Sequence, residues 1–175
     1  RPDAVIMAAC RGGGILANDT LLANFLAENL GMALNCINAS FAVGVEKLVF
    51  RGSTCVYPKF ATQPMSEDQL LTGELEPTNQ WYAIAKIAGI KLCEAYRRQH
   101  DRDFVSVMPT NRYGPGDNYH PEHSHVAAAR FRRYHEAHVA NTLPVTASGN
   151  GPPRPHVPST DDLAAAPGLV RPRSG

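Results

Sequence analysis

The chain has 175 residues, 43% of them hydrophobic, and a net charge of +1 at pH 7. This composition is typical of one globular domain with a hydrophobic core, and the near-neutral charge does not favour nucleic acid or membrane-surface binding. The sequence shows no run long and apolar enough to span a membrane and no signal peptide. The four cysteines lack zinc-site spacing. We therefore expect a cytoplasmic protein without disulfides or a bound metal, in which Cys10, Cys36 and Cys93 are small core residues.

The apolar pattern predicts strands and helices that alternate along the chain. Short apolar runs indicate strands at about 4–9, 47–51 and 104–108. Helical spacing indicates helices at about 18–29, 31–43, 79–99 and 124–137, with Gly44 ending the second and a short helical start at 66–68. Because the connections are short, we expect an α/β fold with a parallel sheet and right-handed crossovers.

Three polar residues of this pattern suggest a device for proton transfer. Tyr82 and Lys86 lie one helical turn apart, on the same helix face, and Ser53 follows a predicted strand. A phenol exchanges protons poorly near neutral pH unless a nearby cation lowers its pKa, and Lys86 is placed to do this. Taken singly, each residue is more often a turn cap, a core-edge tyrosine or an exposed lysine. Taken together near strand ends, where ligands of parallel sheets bind, they favour a hydride-transfer site.

A thiol and a group of histidines are further candidates. Cys55 lies two residues beyond Ser53, so in extended backbone both side chains point the same way, and a cationic neighbour would make the thiol a general base. A small buried residue is the alternative for Cys55. Metal ligation by His120, His123 and His125 is not favoured, because no carboxylate or cysteine is placed to help. One histidine acting as a general acid is the better interpretation.

Four stretches carry a resemblance to a known family. They are residues 52–59 (GSTCVYPK), 71–89 (LTGELEPTNQWYAIAKIAG), 108–111 (MPTN) and 114–126 (GPGDNYHPEHSHV). They resemble the GDP-L-fucose synthases, which are epimerase-reductases of the extended short-chain dehydrogenase/reductase superfamily, and the likeness runs from residue 1 to about 140. The resemblance implies part of a Rossmann-like doubly wound parallel sheet, the cofactor NADP(H), a GDP-sugar substrate and a homodimer formed through the helix that bears Tyr82.

The resemblance also implies a role for each matching residue. It implies a catalytic group made of Ser53, Cys55, Tyr82, Lys86 and His125, in which Cys55 and His125 are the base and acid of epimerisation. The residues implied in cofactor binding are Arg51, Gly52, Ser53, Thr54, Lys86, Pro109, Thr110, Asn111, Arg112 and His125. Arg133 is implied in binding the GDP-sugar. The implied reaction is NADPH-dependent 3,5-epimerisation and 4-reduction of GDP-4-keto-6-deoxy-D-mannose to GDP-L-fucose.

The chain also departs from that family. The glycine triplet at 12–14 lacks the spacing of a dinucleotide fingerprint. We expect residues 1–140 to be an incomplete NAD(P)-binding Rossmann-like domain that lacks its N-terminal βαβ unit, and 141–175 to be a Pro/Gly-rich, degraded segment of the substrate domain. Two alternatives stay open. One is another nucleotide-sugar epimerase or dehydratase of the superfamily, against which Cys55 together with His125 argues; the other is a non-catalytic fragment that keeps the fold and the dimer-forming helix.

Overall fold

Three parallel strands form the sheet of the computed structural model, which describes residues 1–111, 113–120, 124, 126–142 and 144. The strands are β1 (Ala4–Met7), β2 (Lys47–Arg51) and β3 (Asp103–Val107), with β2 between the other two. In the register of the sheet, Leu48 pairs with Val5 on one side and with Phe104 on the other. The predicted α/β class with a parallel sheet is confirmed. The Pro/Gly-rich tail expected at 141–175 lies outside the described residues except for 141, 142 and 144.

Four helices accompany the strands in the described part of the chain. They are α1 (Ile15–Thr20), α2 (Leu22–Ala42), α3 (Gln80–His100) and α4 (Val126–Val139). The predicted division into helices at 18–29 and 31–43 is wrong. The helical structure is interrupted at Leu21, and α2 then continues through Gly31 without a break. One helical glycine costs only about 1 kcal/mol. The burial of Phe25 and Ile37 on the same helix outweighs that cost.

The ends of the elements follow local chain chemistry. Gly44 has φ +72 just past α2, which is the left-handed conformation that glycine adopts most easily at a helix end, as predicted. A single turn of 3-10 helix, Thr54–Val56, follows β2. A second turn, Glu67–Gln69, begins after Ser66, where the sequence indicated a helical start. Both turns belong to the segment that connects the carboxyl end of β2 to the start of α3.

The hydrophobic core lies between one face of the sheet and the helices α2 and α3. Its buried members include Met7, Leu48, Phe50, Ala33, Ile37, Ile87, Ile90, Cys93 and Phe104. Helix α3 lies close to β2 because Gly89 has no side chain: a Cβ there would come within 3.0 Å of three ring atoms of Phe50. This close packing sets the height of α3 above the strand and therefore positions every side chain that α3 presents to the sheet.

The cysteines occupy different environments. All four are free, and Cys93 is buried in the core as predicted. Cys36 is partly buried and packs against that core. Cys10 is partly buried as well, but it lies beyond the end of β1 and beside Tyr82, so the prediction of a core role is wrong for this residue. In the part of the chain that the structure describes, no helix has both the length and the apolar character to cross a membrane.

Candidate active site at the carboxyl edge of the sheet

Ser53 lies where β2 turns away from the sheet. Its backbone is extended (φ −160, ψ 154), and its hydroxyl oxygen accepts a hydrogen bond from the backbone N–H of Cys55 at 3.4 Å. The preceding residue, Gly52, donates its N–H to the carbonyl of Val107 at 2.8 Å, which ties the strand end to β3. Ser53 therefore caps a turn, as the simpler interpretation had it. A hydroxyl that accepts one hydrogen bond still has its own proton to donate to a ligand.

The prediction that Ser53 and Cys55 point the same way is wrong in its reasoning. It assumed extended backbone, whereas Thr54–Val56 forms a turn of 3-10 helix. In that geometry, with three residues per turn, side chains two positions apart do not share a face. Cys55 is partly buried, so it is neither a fully buried core residue nor a freely exposed thiol.

Lys86 is buried although it is charged, with 3% of its surface exposed. Its ammonium donates a hydrogen bond to the backbone carbonyl of Arg51 at 2.9 Å, at the end of β2. The same ammonium lies 5.1 Å from the ring centroid of Phe50 and 5.6 Å from that of Tyr82. Burial lowers the pKa of Lys86, with the nearby charge of Cys10 acting against that shift and that of Arg51 adding to it. The exposed-lysine interpretation is therefore excluded.

Tyr82 is held beside the lysine by an aromatic neighbour and a thiol. Its ring meets Phe25 of α2 edge-on, with centroids 6.4 Å apart, and its hydroxyl donates to the sulfur of Cys10 at 3.9 Å. Burial raises the pKa of Tyr82, and the charge and hydrogen bond of Cys10 raise it further. The prediction that Lys86 lowers the pKa of this phenol is wrong for this structure, because the ammonium donates to a backbone carbonyl and burial dominates.

The structure therefore brings residues from three parts of the chain to one place. The hydroxyl of Tyr82 contacts Cys10, and its ring contacts Lys86, whose ammonium bonds the carbonyl of Arg51. The charges of Cys10 and Cys55 raise the pKa of Tyr82, and that of Arg51 lowers it. The sequence pattern did not single out Cys10. The signal that could have identified it is its position three residues past β1, since polar residues beyond the carboxyl ends of parallel strands gather at one edge of the sheet.

The remaining expected site residues are distributed as follows. Pro109 and Thr110 follow β3 and are partly buried, and Asn111 is exposed. Arg133 is exposed on α4. Arg112, His123 and His125 lie outside the described residues. Among the residues that are described, no three histidine, cysteine or acidic side chains come together in a group that could hold a metal ion.

A comparison with protein families matches nearly the whole chain. The family model described as the NAD dependent epimerase/dehydratase family matches residues 1–169. That match continues past residue 140, where the resemblance by motif ended. In the curated set, the chain is 55% identical over 166 residues to putative GDP-L-fucose synthase 2 of Arabidopsis thaliana, covering 95% of the chain and 51% of that protein. It is 54% identical over 166 residues to GDP-L-fucose synthase of Escherichia coli K12, covering 95% and 52%.

Solved structures agree with this relation. A GDP-L-fucose synthetase from Naegleria fowleri bound to NADP superposes with a TM-score of 0.82 at 29% identity, covering 94% of this chain and 54% of that one. A GDP-D-glycero-L-gluco-heptose synthase from Campylobacter jejuni, solved in the presence of NADPH, gives a TM-score of 0.82 at 30% identity, covering 94% and 57%. The chain spans about half the length of the curated relatives it matches.

Proposed function

Because the chain belongs to the NAD-dependent epimerase/dehydratase family, we propose that it carries the catalytic centre of a GDP-L-fucose synthase. The proposed reaction is the NADPH-dependent 3,5-epimerisation and 4-reduction of GDP-4-keto-6-deoxy-D-mannose to GDP-L-fucose. Curated relatives with that name, 54–57% identical over most of the chain, support the assignment. Since these relatives are about twice as long, the activity of the whole protein is part of the proposal.

One structural observation carries the proposal. The buried ammonium of Lys86 bonds to the carbonyl of Arg51 and lies under the ring of Tyr82. This contact joins the Tyr-x-x-x-Lys turn of α3 to the end of β2, from which Ser53 and Cys55 follow within four residues. A lysine on an inert helix would keep its charge in water, because the burial of an ammonium is costly. The burial of this ammonium therefore supports a role in binding a ligand.

The residues at this edge fit the nicotinamide end of NADP(H). An ammonium has three N–H donors, and the carbonyl of Arg51 accepts one of them. The other donors suit the hydroxyls of a ribose, while Pro109, Thr110 and Asn111 follow the neighbouring strand β3. Bound NADPH supplies a hydride to the sugar carbon C4. In this arrangement Lys86 fixes the position of the nucleotide, and its charge faces the phenol that must give up a proton.

Reduction then depends on Tyr82 and Ser53. As C4 accepts the hydride, the ketone oxygen gains negative charge, and the hydroxyl of Tyr82 gives its proton to that oxygen. The hydroxyl of Ser53 donates a hydrogen bond to the same atom and stabilises the developing charge. The step requires the Tyr82 hydroxyl to exchange its long contact with Cys10 for the ketone oxygen, which is the stronger acceptor.

Epimerisation depends on Cys55 and His125. The C4 ketone makes the hydrogens on C3 and C5 acidic, because the electron pair left behind is delocalised as an enolate. In the proposal, the thiolate of Cys55 takes each proton and His125 returns one from the opposite face of the ring, which inverts each centre. The role of His125 and the binding of the GDP-sugar by Arg133 rest on the family resemblance. The homodimer and the cytoplasmic location expected from the sequence also stay predictions.

The oxidation of NADPH in the presence of GDP-4-keto-6-deoxymannose tests this proposal. We expect Tyr82→Phe to reduce the rate about 10²–10⁴-fold, because the variant lacks the proton donor. Cys55→Ser should lose activity with that substrate but keep it with the 3,5-epimerised ketone, since only proton abstraction is impaired. Tyr96→Phe, at the other end of the same helix, is the matched control and should keep the wild-type rate.

Each alternative function gives a different outcome. If the fluorescence of NADPH does not change when the protein is added, the cofactor does not bind. The non-catalytic alternative is then favoured and the proposal fails. If NADPH binds but is not consumed with the keto sugar, a redox-neutral epimerase or a dehydratase of the same family is favoured. If Cys55→Ser lowers the rate equally with both sugar substrates, the assignment of Cys55 to epimerisation is wrong.

A further inference from the structure

The hydroxyl of Tyr82 has an unusual partner in this structure. It donates to the sulfur of Cys10 at a distance of 3.9 Å, and the two residues are 72 positions apart in the sequence. A thiol sulfur is a weak acceptor compared with the oxygen of a carbonyl or a hydroxyl. The proposed reaction does not use Cys10, so this contact needs a separate explanation.

A buried amide fixes the backbone beside Cys10. The side chain of Asn29 is 4% exposed and bonds both backbone polar groups of Arg11, the residue that follows Cys10. Its Oδ1 accepts from the N–H of Arg11 at 2.8 Å, and its Nδ2 donates to the carbonyl of Arg11 at 3.1 Å. The same Nδ2 donates to the carbonyl of Phe25 at 2.7 Å. Asn29 therefore attaches the segment after β1 to helix α2, and the sulfur of Cys10 is presented from a fixed backbone.

The ring of Tyr82 is supported from the same helix. Phe25, which packs edge-on against Tyr82, has the guanidinium of Arg11 5.7 Å from its own centroid. That guanidinium also pairs with Glu28 at 2.5 Å. A Cβ at Gly13 would lie 3.2 Å from Cζ of Phe25, so this segment is packed tightly onto the ring. The thiol and the aromatic edge that hold Tyr82 thus belong to one connected unit.

We propose that Cys10 is a positioning residue for Tyr82, whose hydroxyl rests on its sulfur and leaves it when a carbonyl oxygen is offered. A weak acceptor suits this role, since it defines an orientation of the hydroxyl without competing strongly with the substrate. The part of the proposal that concerns the substrate rests on the proposed function, which gives Tyr82 the proton transfer. The resting contact itself does not require turnover.

The groups around the phenol allow the contact to be tested by titration. Tyr82 faces Cys10 from the segment after β1, Cys55 and Arg51 from the end of β2, and Lys86 from its own helix. Burial makes the largest contribution to the raised pKa of Tyr82. Cys10 raises this pKa further by its charge and by accepting a hydrogen bond from the hydroxyl. The removal of Cys10 should therefore bring the titration of Tyr82 to lower pH.

The experiment follows the near-ultraviolet absorbance of tyrosinate as the pH is raised. Each protein is measured with and without Tyr82→Phe, so that the difference isolates this one phenol from the others. We expect Cys10→Ala to shift the Tyr82 titration downward by about half a pH unit or more, which is the shift expected when one weak hydrogen bond is lost. Cys10→Ser replaces the sulfur by an oxygen that still accepts a hydrogen bond, and its shift should be smaller than that of Cys10→Ala.

Cys36→Ala is the matched control, because Cys36 is also partly buried but packs against the core from the middle of α2. It should leave the titration of Tyr82 in place. The proposal is overturned if Cys10→Ala causes no shift, if Cys10→Ser shifts as far as Cys10→Ala, or if Cys36→Ala gives the same shift. Failure of the proposed function would appear separately, as absent NADPH oxidation in a protein whose Tyr82 titration still depends on Cys10.

Discussion

Each end of helix α3 carries a tyrosine that packs against a phenylalanine of α2, but the hydroxyl groups of the two tyrosines have different partners. At the N-terminal end, Tyr82 packs edge-on against Phe25 of α2 and donates its hydroxyl to the sulfur of Cys10. The ammonium of Lys86, which is itself buried, lies 5.6 Å from the centroid of the Tyr82 ring. This end lies over the carboxyl edge of the sheet, next to the turn that carries Ser53.

At the C-terminal end, Tyr96 packs against Phe41 of α2, with ring centroids 4.5 Å apart. Its hydroxyl donates to Oδ1 of Asn38 at 2.9 Å, in an exposed hydrogen bond. The ring of His100 lies 4.6 Å from that of Phe41 on the same cluster. This end lies over the opposite edge of the sheet, away from the strand ends where a ligand would bind.

The difference lies in the hydroxyl partner and in burial, since both rings are held by a phenylalanine. The amide oxygen of Asn38 is a good acceptor in a wet environment, so the Tyr96 hydroxyl stabilises the helix pair and is satisfied there. The sulfur of Cys10 is a weak acceptor, and its contact with Tyr82 is partly buried, whereas that of Tyr96 is exposed. The proton of Tyr82 is therefore retained mainly by burial, and it can be given to any stronger acceptor that enters the site.

The largest expected effect is on the packing that holds both ends in place. Gly89→Ala places a methyl group within 3.0 Å of the buried ring of Phe50. Overpacking of this kind costs about 1–3 kcal/mol, and the better helix propensity of alanine recovers only part of it. We expect the free energy of unfolding in urea to fall by about 2 kcal/mol.

Gly31→Ala in α2 is the control, because among the described residues nothing outside the adjacent turns of the helix lies within 4 Å of a Cβ at that position. It should raise the free energy of unfolding by up to about 1 kcal/mol through helix propensity alone. If Gly89→Ala is as stable as Gly31→Ala, the ring of Phe50 moves freely, and the fixed height of α3 above β2 is wrong.

The next effect separates the two tyrosines by pH. The pKa of Tyr82 is raised in the folded protein, mainly by burial. Below about pH 10 both the folded and the unfolded state hold the proton, so nothing changes. Above about pH 10 the unfolded state loses the proton first, and the folded state loses stability by up to about 1.4 kcal/mol per pH unit. Tyr82→Phe should remove this loss, which urea unfolding at several alkaline pH values would measure.

Tyr96→Phe again serves as the matched control, since it removes a hydroxyl from the exposed end of the same helix. The lowered pKa of Lys86 acts with the opposite sign and at lower pH, up to its ordinary value of 10.5. Lys86 is present in all three proteins of the comparison. Equal alkaline slopes for wild type and Tyr82→Phe would contradict the raised pKa of the partly buried phenol.

The fold could be predicted from the sequence where pattern and packing agree. The strand at 47–51 was predicted to the residue, because a short apolar run stands between Gly44 and Gly52, and the structure buries its three central residues. The predicted break near residue 30 was wrong for the opposite reason. A local pattern gives Gly31 a cost in helix propensity but does not show that Phe25 and Ile37 bury their side chains on either side of it.

The site could be predicted only as far as helix spacing reaches. The one-turn separation placed Tyr82 and Lys86 on a common face, and their ring contact agrees. The partners of these two groups were not visible in the sequence, because a backbone carbonyl at Arg51 and a sulfur at Cys10 become neighbours only when three segments pack together. The direction of the phenol pKa was missed for the same reason, since burial is a tertiary property.

The smallest effect tests whether the hydroxyl of Tyr96 contributes as the comparison requires. Tyr96→Phe keeps the ring on Phe41 and removes one exposed hydrogen bond to Asn38. We expect the free energy of unfolding to fall by about 0.5–1 kcal/mol, at the low end for a hydrogen bond because water replaces it. Asn38→Ala and the double variant complete a thermodynamic cycle, in which the coupling energy should be about 0.5 kcal/mol. Strictly additive losses would mean that the bond contributes nothing to stability, and that the two ends of α3 differ in burial alone.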